Sequence, residues 1–111
     1  MKKLLLFISL LFFSVMASAA TQQKLTVILD WFPNPDHAPL FVAKEHGFFK
    51  AQGLDVELMG PADPTDPPKL VAAGKADIAI TYQPQFMEQV SQGLPLARLG
   101  ILIGKDRKSV V

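Results

Sequence analysis

Residues 25–37 read LTVILDWFPNPDH. Leu25, Val27, Ile28 and Leu29 give an aliphatic, β-branched run without a solvated face, the pattern of a strand inside a parallel sheet covered on both sides. The run passes without a break into Asp30, Trp31, Phe32, Pro33 and Asn34, where groups that stack and hydrogen-bond take over. Ligands of parallel α/β sheets collect beyond the carboxyl ends of the strands. The single Trp of the chain therefore stands where a ligand is expected. A Trp in that place also serves as a lid over the core, and the other strand ends have to separate the two roles.

Downstream, the same alternation repeats. Asn34 or Asp36 can cap a helix with Pro39 in its first turn, Leu40, Phe41, Val42 and Ala43 as its packing face and Gly47 as its stop. A further helical turn, residues 48–52, closes at Gly53. Residues 54–59, LDVELM, alternate apolar and acidic side chains, which predicts a strand at or near a sheet edge. The proline-rich stretch 60–68 is a loop, with Asp66 as a plausible N-cap and Pro67 at the first position of a helix that ends at Gly74. Residues 76–82 form a third strand, and Gln83-Pro84 opens a helix that should turn Phe86, Met87 and Val90 inward before Gly93. A fourth strand spans residues 96–103. Strand and helix in strict alternation, with short connections, predict an α/β layer with a parallel sheet and right-handed crossovers.

In that arrangement the carboxyl ends of three strands share one edge. The first brings Asp30, Trp31, Asn34 and His37, the second Asp63, Thr65 and Asp66, and the third Thr81, Tyr82, Gln83 and Gln85. Two aromatic rings among amides, hydroxyls and carboxylates suit a flat, polar heterocycle, which the rings stack on and the polar groups read.

Composition narrows the classes. Lys2 and Lys3, the apolar run that follows and Ala17-Ser18-Ala19 have the three parts of a secretory signal peptide, covering residues 1–19. Its apolar run is shorter than the ~20 residues a membrane span needs. The chain of 111 residues has no cysteine, so it forms no disulfide, no thiolate metal site and no lipidated cysteine anchor. Loss of Lys2 and Lys3 turns a formal net charge of +1 slightly negative, which gives nucleic acid no basic surface to bind. Catalysis has few candidates. His37 reads as a base, a hydrogen-bond donor or simply a first-turn residue, and His46 as a complement to a helix dipole. The Walker and dinucleotide fingerprints are absent, and no metal-ligand spacing stands out.

Several blocks together are more specific: DWFPN at 30–34, KEHGFF at 44–49, GLDV at 53–56, PTDP at 64–67, GKAD at 74–77 and YQP at 82–84. They closely resemble the thiamine-precursor branch of the NMT1/THI5-like proteins, over roughly residues 24–103. The resemblance implies a type II periplasmic-binding-protein fold, in which two α/β lobes close on a ligand. The 20–103 segment would be part of the first lobe, with its parallel sheet flanked by helices. Implied too is the substrate-binding component of an ABC transporter, working as a monomer in the periplasm with an inner-membrane permease as partner. Its ligand would be formylaminopyrimidine or hydroxymethylpyrimidine, stacked on Trp31 and Tyr82 and hydrogen-bonded to Asn34, with Asp30, His37, Thr65 and Gln83 in the wall. No cofactor or metal is expected.

The family also contains a synthase branch that consumes pyridoxal phosphate and one of its own histidines. Its lysine and histidine fall, in register, on Thr81 and Gln85 here, so the expectation is that this chain is not an enzyme; that synthase and a receptor for sulfonate, nitrate or another small ligand are the alternatives. Family members run several times longer, and residues 104–111 depart from the pattern. The chain therefore reads as a truncated first lobe with an atypical tail, marginally stable and weak in binding.

Overall fold

The computed structural model describes residues 21–104 and 108–111. The expected signal peptide lies outside these residues. Strand β1, Gln23–Ile28, leads through a 3-10 turn, Pro35–His37, into helix α1, Ala38–Glu45. Then follow α2, Phe48–Ala51; β2, Leu54–Met59; α3, Pro67–Ala72; β3, Ile78–Tyr82; α4, Gln83–Ser91; β4, Gly100–Ile103; and β5, Lys108–Val110. Gly47 and Gly53, both at φ 74, take the left-handed turns after α1 and α2, a conformation that costs glycine little. Asp66 does precede α3, with Pro67 and Pro68 opening it, but its side chain makes no capping bond.

The five strands form one mixed sheet in the order β2-β1-β3-β5-β4. β1 pairs in parallel with β2 on one side and with β3 on the other. Asp77 secures the second junction: its carboxylate accepts the Thr26 N–H at 2.8 Å, and its own N–H donates to the Thr26 carbonyl at 3.1 Å. The all-parallel expectation is corrected beyond this point. β5 runs antiparallel to both β3 and β4 and separates them. The physical cause is the short link between β4 and β5, too short for the crossover that parallel pairing requires, so the two form a hairpin. β2 lies at a sheet edge, as its acidic alternation predicts.

The chain steps from β1 outward to β2 and then back across β1 to β3. Leu40, Phe41 and Phe49 put the α1–α2 segment on one face of the sheet, and the right-handed rule for parallel crossovers assigns α3 to the other. Val27, Leu29, Val56 and Ile80 form the core of one face, with Leu40, Phe41 and Phe49 packed on it. Leu29 and Ile80 are fully buried, and each contributes about 1.5–3 kcal/mol by leaving water. Val42, expected in the packing face of α1, is half exposed, and so are Met87 and Val90 of α4. Among the described residues no helix is long and apolar enough to cross a membrane.

Candidate functional site at the β1 and β3 strand ends

In the strand order β2-β1-β3-β5-β4 the connection from β1 runs to β2 on one side and that from β3 runs to β4 on the other, which makes the carboxyl ends of β1 and β3 a topological switch point. Crevices for ligands open at such points because the flanking helices diverge there. The register aligns Ile28 with Ala79. Three residues further along each chain stand Trp31 and Tyr82, with relative exposures of 50% and 41%.

Local bonding explains how the first of these is presented. Past β1 the Leu29 N–H donates to the Met59 carbonyl at 2.8 Å, so the chain stays against β2 for one more residue. Asp30 then turns inward and is buried, while Trp31 and Phe32 turn out, their rings edge to face with centroids 6.0 Å apart. Asn34, in extended conformation, closes the loop. Its Oδ1 accepts the Asp36 N–H at 3.0 Å and its Nδ2 donates to the Phe32 carbonyl at 2.9 Å. Beneath the loop lies His37, fully buried. Its Nδ1 accepts the Asn34 N–H at 3.3 Å, and its Nε2 sits 2.6 Å from Asp30 Oδ1. A backbone N–H can only donate, so Nδ1 carries no proton; the proton on Nε2 then donates to the Asp30 carboxylate.

On the other side of the switch point, Thr81 is buried and its Oγ1 donates to Gln85 Oε1 at 3.3 Å. Tyr82 and Gln83 follow at the junction of β3 with α4. Asp63 folds its own loop by accepting from the Thr65 N–H and the Thr65 hydroxyl, both at 2.8 Å. The backbone bond first, and the hydroxyl second, hold the Asp63 carboxyl below its ordinary value of 3.8. Gln89 Nε2 reaches the Thr65 carbonyl at 3.4 Å and ties this loop to α4.

The sequence-selected residues thus divide into three sets. Trp31, Asn34, Tyr82 and Gln83 stand at the two adjacent strand ends. Asp30 and His37 are buried beneath the loop. Thr65 belongs to an open groove of about 270 Å³ that it lines with Lys69, Gln85, Glu88 and Gln89. A second groove of about 270 Å³ runs beside the N-terminal halves of β1 and β2, past Lys24, Thr26, Asp55 and Glu57, away from the aromatic rings. Three surface residues escaped the sequence reading: Phe32, 67% exposed, Met59, 44% exposed, and Gly60, which packs on Pro33 and on the Trp31 backbone. Phe32 was legible as part of DWFPN, but an apolar ring after a strand gives no sign of facing water. Among the described residues no group of three or more His, Asp or Glu is placed to hold a metal ion.

The chain is an α/β domain with a mixed sheet flanked by helices, and family comparison refines that class. A model described as NMT1/THI5 like matches residues 34–111, and the chain belongs to that family. Over 90 residues it is 52% identical to a putative thiamine biosynthesis protein of Haemophilus influenzae, covering 81% of this chain and 29% of that one. A formylaminopyrimidine-binding protein of Halalkalibacterium halodurans is 40% identical over 81 residues, 73% of this chain and 24% of the relative. A 4-amino-5-hydroxymethyl-2-methylpyrimidine phosphate synthase of Saccharomyces cerevisiae is 34% identical over 88 residues, 79% of this chain and 26% of the enzyme. The matched segment spans 24% to 29% of the length of these relatives.

These matches correct the expectation that the chain is not an enzyme: relatives from three organisms are synthases by name. That expectation leaned on Thr81, Gln85 and the export signal, whereas the similarity to the synthases extends over most of the chain. Pyridoxal phosphate, the group tied to the synthase branch, requires an amine for a Schiff base. Thr81 and Gln85 offer a hydroxyl and an amide bonded to each other, so this junction does not fit the group.

Proposed function

We propose that the chain is a first-lobe segment of a type II periplasmic binding protein that delivers a thiamine pyrimidine precursor, formylaminopyrimidine or hydroxymethylpyrimidine, to an ABC permease. The observation that carries this reading is the pair of half-exposed rings, Trp31 and Tyr82, flanking the β1/β3 switch point. An aminopyrimidine is flat and polar. It stacks on indole and phenol, and its ring nitrogens and amino group pair with side-chain amides. Asn34 and Gln83 supply such amides beside the rings. Each atom of the Asn34 amide has one bond within the loop, which leaves one more hydrogen-bonding position on each.

Further support comes from the formylaminopyrimidine-binding relative. Periplasmic location, a monomeric receptor and the permease partner rest on the signal-peptide pattern and on the family resemblance. Since Trp31 is the single Trp, its fluorescence reports directly on the site. Titration of this chain and of a full-length version with formylaminopyrimidine and hydroxymethylpyrimidine should give saturable quenching in the full-length protein; no response there to either ligand removes the pyrimidine assignment.

A second reading, part of a pyrimidine phosphate synthase, is favoured by the synthases among the relatives. Formation of a phosphorylated aminopyrimidine by the purified protein separates it from reversible binding of an unaltered ligand.

A further inference from the structure

We propose that His37, held as the Nε2–H tautomer, is the positioning residue for the ligand-facing loop 31–34. The inference rests on the reading of that loop as the pyrimidine wall. Three observations carry it. His37 is fully buried and Asp30 1% exposed, so neither meets a ligand on the surface. The ring spans both ends of the loop: Nε2 holds the Asp30 carboxylate at 2.6 Å, and Nδ1 accepts the Asn34 N–H at 3.3 Å. Between those two anchors stand Trp31, Phe32 and Pro33, all exposed. One imidazole therefore fixes both ends of the segment that presents the rings.

The tautomer is essential to this clamp. With the proton on Nδ1 instead, the ring would point an N–H at the Asn34 N–H and a lone pair at a carboxylate, and both contacts would turn repulsive. Asp30 enforces the correct form, because its carboxylate oxygen accepts only from a protonated Nε2. The device is the same in kind as a buried carboxylate that orients a histidine for work elsewhere, except that here the work is holding a backbone segment.

Two substitutions divide the clamp. His37→Asn places an amide oxygen near the Nδ1 position and can accept the Asn34 N–H, but it is too short to reach Asp30. His37→Gln reaches Asp30 with its amide and leaves the Asn34 N–H without its acceptor. The chain has two histidines, so nitrogen-15 spectra of the full chain resolve His37 from His46, with either variant providing the assignment.

In the unsubstituted protein at neutral pH, His37 should show a proton on Nε2, none on Nδ1, and a hydrogen-bond coupling from the Asn34 amide to Nδ1. A proton on Nδ1 overturns the proposal. For variants that keep the native fold by circular dichroism, acrylamide quenching of Trp31 should rise and pyrimidine affinity should fall about tenfold, a change of about 1.4 kcal/mol. Unaltered quenching and affinity in both folded variants also overturn it. If neither variant folds, the ring spectrum of the unsubstituted chain decides alone. Absence of pyrimidine binding in a protein with the predicted ring spectrum and quenching responses would defeat the functional reading and leave the clamp standing.

Discussion

His37 Nε2 approaches Asp30 Oδ1 to 2.6 Å across seven residues of sequence, with both side chains buried. The pair is asymmetric, because one partner is a carboxylate and the other a neutral ring. His37→Ala leaves the buried Asp30 carboxylate without its imidazole donor, and loss of a hydrogen bond to a charged group costs about 1.5–3 kcal/mol. Asp30→Asn keeps an acceptor oxygen for the ring and loses mainly the charge on the bond, about 1 kcal/mol. Urea unfolding of the two variants should show the larger loss in His37→Ala. Equal losses would mean that Asp30 does not carry a charge in the folded chain.

Much of this arrangement was legible from local pattern. The helix after DWFPN, the glycine at its end, the alternating edge strand LDVELM and the placement of Trp31 and Tyr82 at strand ends all follow from periodicity and turn chemistry. Partnership between Asp30 and His37 was not, since it depends on the path of residues 31–34 and no periodicity encodes that path. Strand β5 was missed for a similar reason. Lys108, Ser109 and Val110 carry no strand pattern of their own, and their conformation is set by pairing with β3 and β4 on either side. Because β5 was missed, the sheet was read as parallel throughout. The exposure of Met87 and Val90 escaped notice too, for helical spacing says which residues share a face but not whether anything covers it.

Two glycines test the loop geometry in opposite ways. Gly47 sits at φ 74 with open space around its Cα, so Gly47→Ala meets no neighbour but strains the backbone by about 1–2 kcal/mol. Gly60 has no such φ, and an added Cβ would lie 3.6 Å from Pro33 Cδ and 3.9 Å from the Trp31 carbonyl, ordinary contact distances. Gly60→Ala should therefore unfold within about 0.5 kcal/mol of the parent. Thermal melts that ranked Gly60→Ala as the more damaging change would contradict the packing of the β2 end against the Trp31 loop.

Acid titration reads the Asp63 turn. The bonds from Thr65 hold its carboxyl below 3.8 in the folded chain, so as pH falls the unfolded chain binds the proton first. The stabilisation is whole above the ordinary value and is lost as pH drops through the lowered folded one. Thr65→Ala deletes the hydroxyl donor and keeps the backbone N–H, which is the larger cause. Carbon-13 titration of the Asp63 carboxyl should therefore move only part of the way back towards 3.8 in that variant. Complete return would assign the whole effect to the hydroxyl.

Trp31 and Tyr82 separate binding from folding. Both rings are partly exposed, so truncating them removes little core packing, and Trp31→Ala and Tyr82→Ala should each lie within about 0.5 kcal/mol of the parent in urea unfolding. Binding should respond differently. Stacking contributes about 0.5–1.5 kcal/mol beyond the area covered, so each alanine variant should weaken pyrimidine binding by roughly three- to tenfold or more. Trp31→Phe retains a π face and should recover most of that loss. Calorimetry is the suitable measurement, since the fluorophore itself is replaced. Full binding in both alanine variants would move the ligand away from the β1/β3 switch point, and the groove lined by Thr65, Lys69 and Gln89 would then be the place to look.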